Sequence, residues 1–105
     1  MIRGTTPTLT LKVPKRDLRE CNVIVTFQNK GITINKKNED MEIRYDNCAS
    51  YLDVPFSQND TLAFPQGTAN VQVNWIYQNG IREATQTAVI DIEANLYNKV
   101  MEYEV

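Results

Sequence analysis

The chain contains no histidine, only two cysteines and only four glycines, and each shortage excludes a kind of chemistry. Without histidine, the usual zinc sites lack a ligand type and a nucleophilic cysteine lacks its usual base. Four glycines are too few for a loop that cradles phosphate groups. We therefore expect a protein that is not an enzyme, with no catalytic residues, no bound cofactor and no metal.

The two cysteines, Cys21 and Cys48, do not have the spacing of a zinc motif or of a CxxC redox motif. The opening residues contain no continuous apolar stretch and so do not read as a signal peptide. Both observations favour a reducing compartment. We expect two buried, reduced thiols; a disulfide between them is the alternative.

Long apolar runs and a strong charge of one sign are also missing. No apolar run approaches the roughly 20 residues that cross a bilayer. The net charge of −2 is too small to attract nucleic acid or an anionic membrane. We therefore expect neither nucleic acid nor a membrane as a partner. We also expect the protein to act inside a cell, or to leave it by assembly or lysis.

Short segments that alternate apolar and polar residues recur about every 8 to 12 residues, with turn-forming residues between them. A chain of 105 residues forms one domain, and this spacing is typical of a sandwich or barrel. Ser57 should cap a single helical turn, and Leu18 should anchor the connection after the first strand. We predict an all-β fold for residues 1–94, an immunoglobulin-like antiparallel β-sandwich of about seven strands. The first five are predicted at residues 8–13, 23–27, 32–34, 41–45 and 48–54.

The longest alternating stretch surrounds Asn79-Gly80, a dipeptide typical of the two-residue type I′ turn of a β-hairpin. That turn places Trp75 opposite Ala84 and Val71 opposite Ala88, so that nearly all of one face is apolar and buried. The single tryptophan then fills the gap between two sheets.

The same register places Tyr77 opposite Arg82 near the exposed tip of the hairpin, where the ring and the guanidinium group could stack. A local cross-strand pair and a contact site for another molecule both fit this position. We therefore count Tyr77 and Arg82 among the candidate interaction residues.

The tail segment, residues 95–105, is rich in apolar side chains after the last predicted strand. A spacing of four residues fits a short helix, and the alternation of Met101, Tyr103 and Val105 fits a strand equally well. Packing on its own domain and docking on a neighbouring subunit both stay open. Disorder is disfavoured because disordered segments are poor in aromatic residues. The candidate interaction residues of this segment are Leu96, Tyr97, Val100, Met101 and Tyr103.

Two segments carry a resemblance to known proteins. The opening, MIRGTTPTLTLKV, resembles the start of a group of short proteins from phages and prophages of Gram-positive anaerobes. SQNDTLAF, at residues 57–64, resembles the turn of that group that precedes a strand of the VQVNW type. Such proteins are similar to the immunoglobulin-like N-terminal modules of phage upper-baseplate and tail-fibre proteins.

The resemblance implies a non-enzymatic structural or interaction module of a phage or prophage, an accessory protein of the tail or baseplate. Its partners would be proteins, either further copies of the chain in a homo-oligomer or other phage structural subunits. It would reside in the virion or in the bacterial cytoplasm. The alternative is a free intracellular phage-encoded binding protein, such as an inhibitor of a host defence. A carbohydrate-binding domain is a third interpretation, with Tyr45, Tyr51 and Tyr77 as weak candidates for its contacts.

Overall fold

The computed structural model describes residues 1–104. It contains eight β-strands, one short α-helix and one 3-10 turn at Asn38–Asp40. The helix, α1, spans Gln58–Ala63 and is capped by the Ser57 side chain, as predicted. The strands are β1 Thr8–Pro14, β2 Asn22–Asn29, β3 Ile32–Lys37, β4 Glu42–Asp46, β5 Ala49–Pro55, β6 Gly67–Ile76, β7 Arg82–Ala84 and β8 Ala88–Ile92.

The strands form two antiparallel sheets. The smaller sheet has the order β1-β5-β4, and the larger one has the order β3-β2-β6, with β7 and β8 both paired to β6. The prediction of an all-β antiparallel sandwich is therefore confirmed. The described residues form eight strands rather than about seven, because the return arm of the long hairpin is divided into β7 and β8.

The core lies between the sheets and follows from the alternation of side chains along each strand. Every second residue of β2 is buried, as is every second residue of β6 from Ala69 to Trp75. Leu18 is fully buried and anchors the connection between β1 and β2, as predicted. The other fully buried or nearly buried apolar residues are Val13, Cys21, Val23, Val25, Phe27, Ala49, Leu52, Val54, Phe56, Phe64 and Ile92.

The long hairpin has the predicted register in one half and not in the other. Val71 pairs with Ala88, as predicted. Trp75, however, pairs with Glu83 and not with Ala84, because the return arm carries one extra residue between the two halves. The Thr85 hydroxyl accepts a hydrogen bond from the Val73 N–H at 3.1 Å and stabilises this bulge.

The turn of this hairpin also differs from the prediction. The Gly80 N–H donates to the Tyr77 carbonyl at 3.0 Å, and the Tyr77 N–H donates to the Ile81 carbonyl at 2.9 Å. The loop therefore has three residues, with Gly80 at a φ of +87°. Asn79 does not have a positive φ, so the predicted type I′ turn is wrong. A left-handed glycine at the end of a three-residue loop is a common alternative.

Two-residue loops with positive φ at both positions occur elsewhere, at Lys30-Gly31 and at Asn47-Cys48. The second loop joins β4 to β5 and places Cys48 at the surface. The expectation that both cysteines are buried is therefore wrong for Cys48, because β5 begins one residue after it. Cys21 is buried, and neither cysteine is in a disulfide.

Candidate interaction surface

The tail segment forms neither of the predicted secondary structures in its described part, residues 95–104. The segment is instead held on the sandwich by polar contacts, which begin at the side chains of its two asparagines. The Asn95 amide donates to the Arg3 carbonyl at 2.8 Å, and the Arg3 guanidinium donates to Asn98 Oδ1 at 3.0 Å. The path of the segment is therefore set by the opening residues of the chain.

Arg3 is the centre of this attachment. Its Nε donates to the Phe64 carbonyl at 2.6 Å and its Nη2 donates to the Leu62 carbonyl at 2.9 Å. Carbonyl groups at the end of a helix have no partner within the helix, and a cation satisfies them well. One guanidinium group thus joins the end of α1 to the tail segment.

The residues beside Arg3 hold the opening of the chain in place. The Gly4 N–H donates to the buried Thr61 hydroxyl at 2.9 Å, and that hydroxyl donates to the Thr5 carbonyl at 2.8 Å. Gly4 has a φ of +84°, which residues with a side chain rarely adopt. Ile2 forms an isolated parallel bridge with Glu93, just after β8. The opening therefore lies between α1 and the end of β8.

Gln58, at the start of α1, makes a second attachment. Its Nε2 donates to the Met101 carbonyl at 2.8 Å, and its Oε1 accepts from the Met101 N–H at 2.7 Å. A single side-chain amide therefore satisfies both polar groups of one backbone position. Arg3 and Gln58 were not among the predicted interaction residues, although each lies in a segment that carries the resemblance.

The apolar side chains of the tail segment remain in water. Leu96 and Tyr103 are 106% and 92% exposed, and the other three are 48–66% exposed. The radius of gyration of the Cα atoms is 14.9 Å, against about 13 Å for a compact chain of this length. The structure therefore brings the main chain onto the domain and leaves the five predicted side chains exposed, namely Leu96, Tyr97, Val100, Met101 and Tyr103.

The hairpin tip is arranged differently from the prediction. Tyr77 and Arg82 do not stack, because the three-residue loop places Tyr77 beside Ile81 and Arg82 beside Ile76. Arg82 donates to Asn74 Oδ1 at 3.0 Å. The two residues therefore do not form one site, although Arg82 and Ile81 are exposed.

Glu83 organises the region below the tip and was not predicted to do so. Its Oε1 accepts hydrogen bonds from Tyr77 Oη at 2.7 Å, Arg16 Nε at 3.0 Å and Trp75 Nε1 at 3.1 Å. The Tyr77 hydrogen bond and then Arg16 lower the pKa of the Glu83 carboxyl group, and the same hydrogen bond raises the pKa of Tyr77. The ionised carboxylate therefore fastens the hairpin to the connection after β1.

The outer face of the larger sheet carries mainly uncharged amide and hydroxyl groups. Tyr45 and Tyr51 belong to the smaller sheet, where Arg19 and Arg44 lie 4.8 and 5.3 Å from their ring centres. Guanidinium groups therefore lie over two of the three rings proposed for sugar contacts, and the third, Tyr77, is half-buried. The uncharged polar residues of the larger sheet's outer face are Asn22, Thr26, Gln28, Thr33, Asn35, Thr68, Asn70, Gln72 and Asn74, and its charged residues are Lys37, Arg82 and Asp91.

An open depression of about 690 Å³ is lined by residues of β1, β3, β4, β5 and α1. Two of its carboxylates are engaged in ion pairs, Asp60 with Lys36 at 2.7 Å and Asp53 with Arg44 at 2.6 Å. Arg44, with a smaller effect from Thr10, lowers the pKa of Asp53 to about 2. Among residues 1–104, no group of three or more His, Cys, Asp or Glu side chains could hold a metal ion.

No protein-family model, no curated protein and no solved structure matches the chain. In the part of the chain that the structure describes, no helix is long and apolar enough to cross a membrane.

Proposed function

We propose that this chain is a non-enzymatic structural module of a phage or prophage, an accessory protein of the tail or baseplate. Its tail segment docks on a neighbouring protein subunit. One observation carries the proposal: a segment attached to the domain by polar contacts presents five apolar side chains to water.

The composition of the exposed side chains favours a protein partner. Tyrosine and methionine are enriched where proteins meet, and monomeric proteins rarely expose a large contiguous apolar patch. Each Å² of apolar surface removed from water contributes roughly 25 cal/mol before the cost of ordering the chain. Because the Arg3 contacts to Asn95 and Asn98 already hold the start of the segment, that ordering cost is reduced here.

The phage setting rests on the resemblance of the opening and of SQNDTLAF, and both segments contact the tail segment. Arg3 and Gly4 belong to the first segment, and Gln58 and Thr61 belong to the second. These four residues join the opening, α1 and the tail segment through hydrogen bonds. The residues that carry the resemblance are therefore the ones that present the tail segment.

A mass-spectrometric inventory of purified particles tests the proposal. Particles released by the phage or induced prophage that encodes the chain should contain it in a fixed ratio to the tail proteins. A gene carrying Leu96→Ser and Tyr103→Ser should give a folded protein that no longer enters the particles. Ile24→Ser with Ile76→Ser is the matched control, since both residues are exposed apolar residues of the larger sheet.

The two possible failures have different meanings. Absence of the wild-type chain from particles would contradict a structural role and favour the free intracellular binding protein. Incorporation that survives the two tail substitutions but fails with the control pair would assign docking to the outer face of the larger sheet.

A further inference from the structure

The tail segment carries the sequence pattern of a β-strand that has no strand partner. From Met101 to Glu104, apolar and acidic residues alternate, as in a strand with one buried face. The Gln58 amide forms a reciprocal pair of hydrogen bonds with Met101: it accepts one from the Met101 N–H and donates one to the Met101 carbonyl. A neighbouring β-strand offers the same pair of bonds. This part of the main chain is therefore suited to strand pairing.

β3 is an open edge of the larger sheet. Alternate residues of an antiparallel strand direct their backbone groups to the partner strand, and the others direct them outward. The Lys37 N–H donates to Asp40 Oδ2 at 3.0 Å and not to β2, so Lys37 belongs to the outward set. Asn35 and Thr33 lie two and four residues before Lys37, so their backbone groups also point away from β2. Within residues 1–104, neither residue makes a backbone hydrogen bond outside the sheet.

Charge distinguishes this edge from the others. β3 contains Lys37 on its outer face, and Lys30 lies in the turn before it, whereas Lys36 is already paired with Asp60. β4 contains two acidic residues and one arginine, which is paired with Asp53. β7 is only three residues long and contains Arg82 and Glu83, and β8 contains Asp91, with the opening residues bonded just beyond its end. β1 contains one lysine and is followed by Lys15, but it ends in a proline, which cannot donate to a ladder. An acidic strand therefore matches β3 best.

We propose that residues 100–104 of one copy of the chain add as a strand to the β3 edge of a second copy. This inference rests on the proposed function, since it names the partner that the tail segment docks on. Strand addition to an exposed edge is a recurring mode of recognition. With Met101 and Tyr103 beside Ile32 and Ile34, the two glutamates lie on the face that carries Lys37.

The test changes the charge of the tail segment in one variant chain and the charge of the β3 edge in another. The tail-reversed chain carries Glu102→Lys and Glu104→Lys, and the edge-reversed chain carries Thr33→Glu and Lys37→Glu. Sedimentation equilibrium over a range of concentrations gives the dissociation constant of self-association. We expect the wild type to associate, each reversed chain alone to associate at least about tenfold more weakly, and an equimolar mixture to regain the wild-type affinity.

Gln58→Ala provides an independent readout. The Gln58 amide competes with a strand for the main chain of Met101, so its removal should tighten self-association by a few fold. Gln66→Ala is the matched control, because Gln66 is exposed and makes no side-chain hydrogen bond within the described residues. An unchanged or weaker affinity of Gln58→Ala would overturn the strand geometry.

A wild-type chain that stays monomeric, or a mixture that does not regain affinity, would overturn pairing between copies. Neither result would bear on the incorporation of the chain into particles, so the proposed function would be judged separately. Trp75 fluorescence and urea unfolding of every variant show that the sandwich itself is retained.

Discussion

Trp75→Ala should be among the most destabilising single substitutions in this protein. The Trp75 side chain is 5% exposed and lies in the core, between its β2 neighbour Val23 and its β7 neighbour Glu83. Its removal leaves a large cavity, and such substitutions cost about 3–5 kcal/mol. The indole N–H also donates to Glu83, so the carboxylate loses one of its three partners. A small domain is stable by only about 5–15 kcal/mol, so the variant should be close to unfolding.

Urea unfolding followed by circular dichroism measures the loss, since the variant lacks the tryptophan signal. Ile76→Ala is the matched control on the same strand, because Ile76 is 39% exposed on the opposite face and its truncation should cost less than about 1 kcal/mol. Thr85→Ala is not a neutral control, because its hydroxyl supports the bulge and its loss should cost about 1 kcal/mol. Equal, small losses for Trp75→Ala and Ile76→Ala would refute the assignment of the buried face.

Four further predictions concern single positions. Gly80→Val should destabilise the protein by more than about 1 kcal/mol in the same urea assay, because valine rarely adopts a φ of +87°. Arg3→Ala should keep the sandwich folded but release the tail segment, so trypsin should cut after Lys99 several-fold faster. The Asp53 carboxyl group has a pKa of about 2 in the folded protein, below its value in the unfolded chain. Its contribution to the free energy of unfolding is therefore present above about pH 4 and is lost as the pH falls towards 2. Asp53→Asn should make the free energy of unfolding depend less on pH in this range. Alkylation of the native protein should modify the exposed Cys48 first, and Cys21 should react only after unfolding. If the unfolded protein reacted only after a reductant was added, the two cysteines would form a disulfide and the prediction of free thiols would be wrong.

The strands and the buried face could be predicted from the sequence because both depend on local patterns. Alternation along β2 and β6 determines which side chains face inward, and Leu18 is the one apolar residue in a polar connection. The cap of α1 was also predictable, since Ser57 and Asp60 form a capping box within four residues. Such signals do not require knowledge of any distant part of the chain.

The hairpin shows where local patterns stop being sufficient. Asn79-Gly80 fits both a two-residue and a three-residue loop, and the choice changes the partner of Trp75 by one position. The bulge at Thr85 then restores the predicted register for β8. Glu83 consequently lies beside Trp75, where Arg16, from another part of the chain, neutralises its charge. The charged Glu83 side chain, which alone would favour the solvent face, therefore lies on the inner face of the sheet.

The sequence by itself determined an all-β sandwich, the positions of its strands and the apolar character of the tail segment, because period-two alternation and turn residues act over a few neighbours. Only the tertiary structure decided the loop types, the position of Cys48 and the exposure of the tail's apolar side chains. Those features depend on groups that meet across the fold, such as Arg3 and Asn98, which are 95 positions apart. The end of α1 leaves carbonyl groups that need a donor, and Arg3 supplies it while it binds the tail segment.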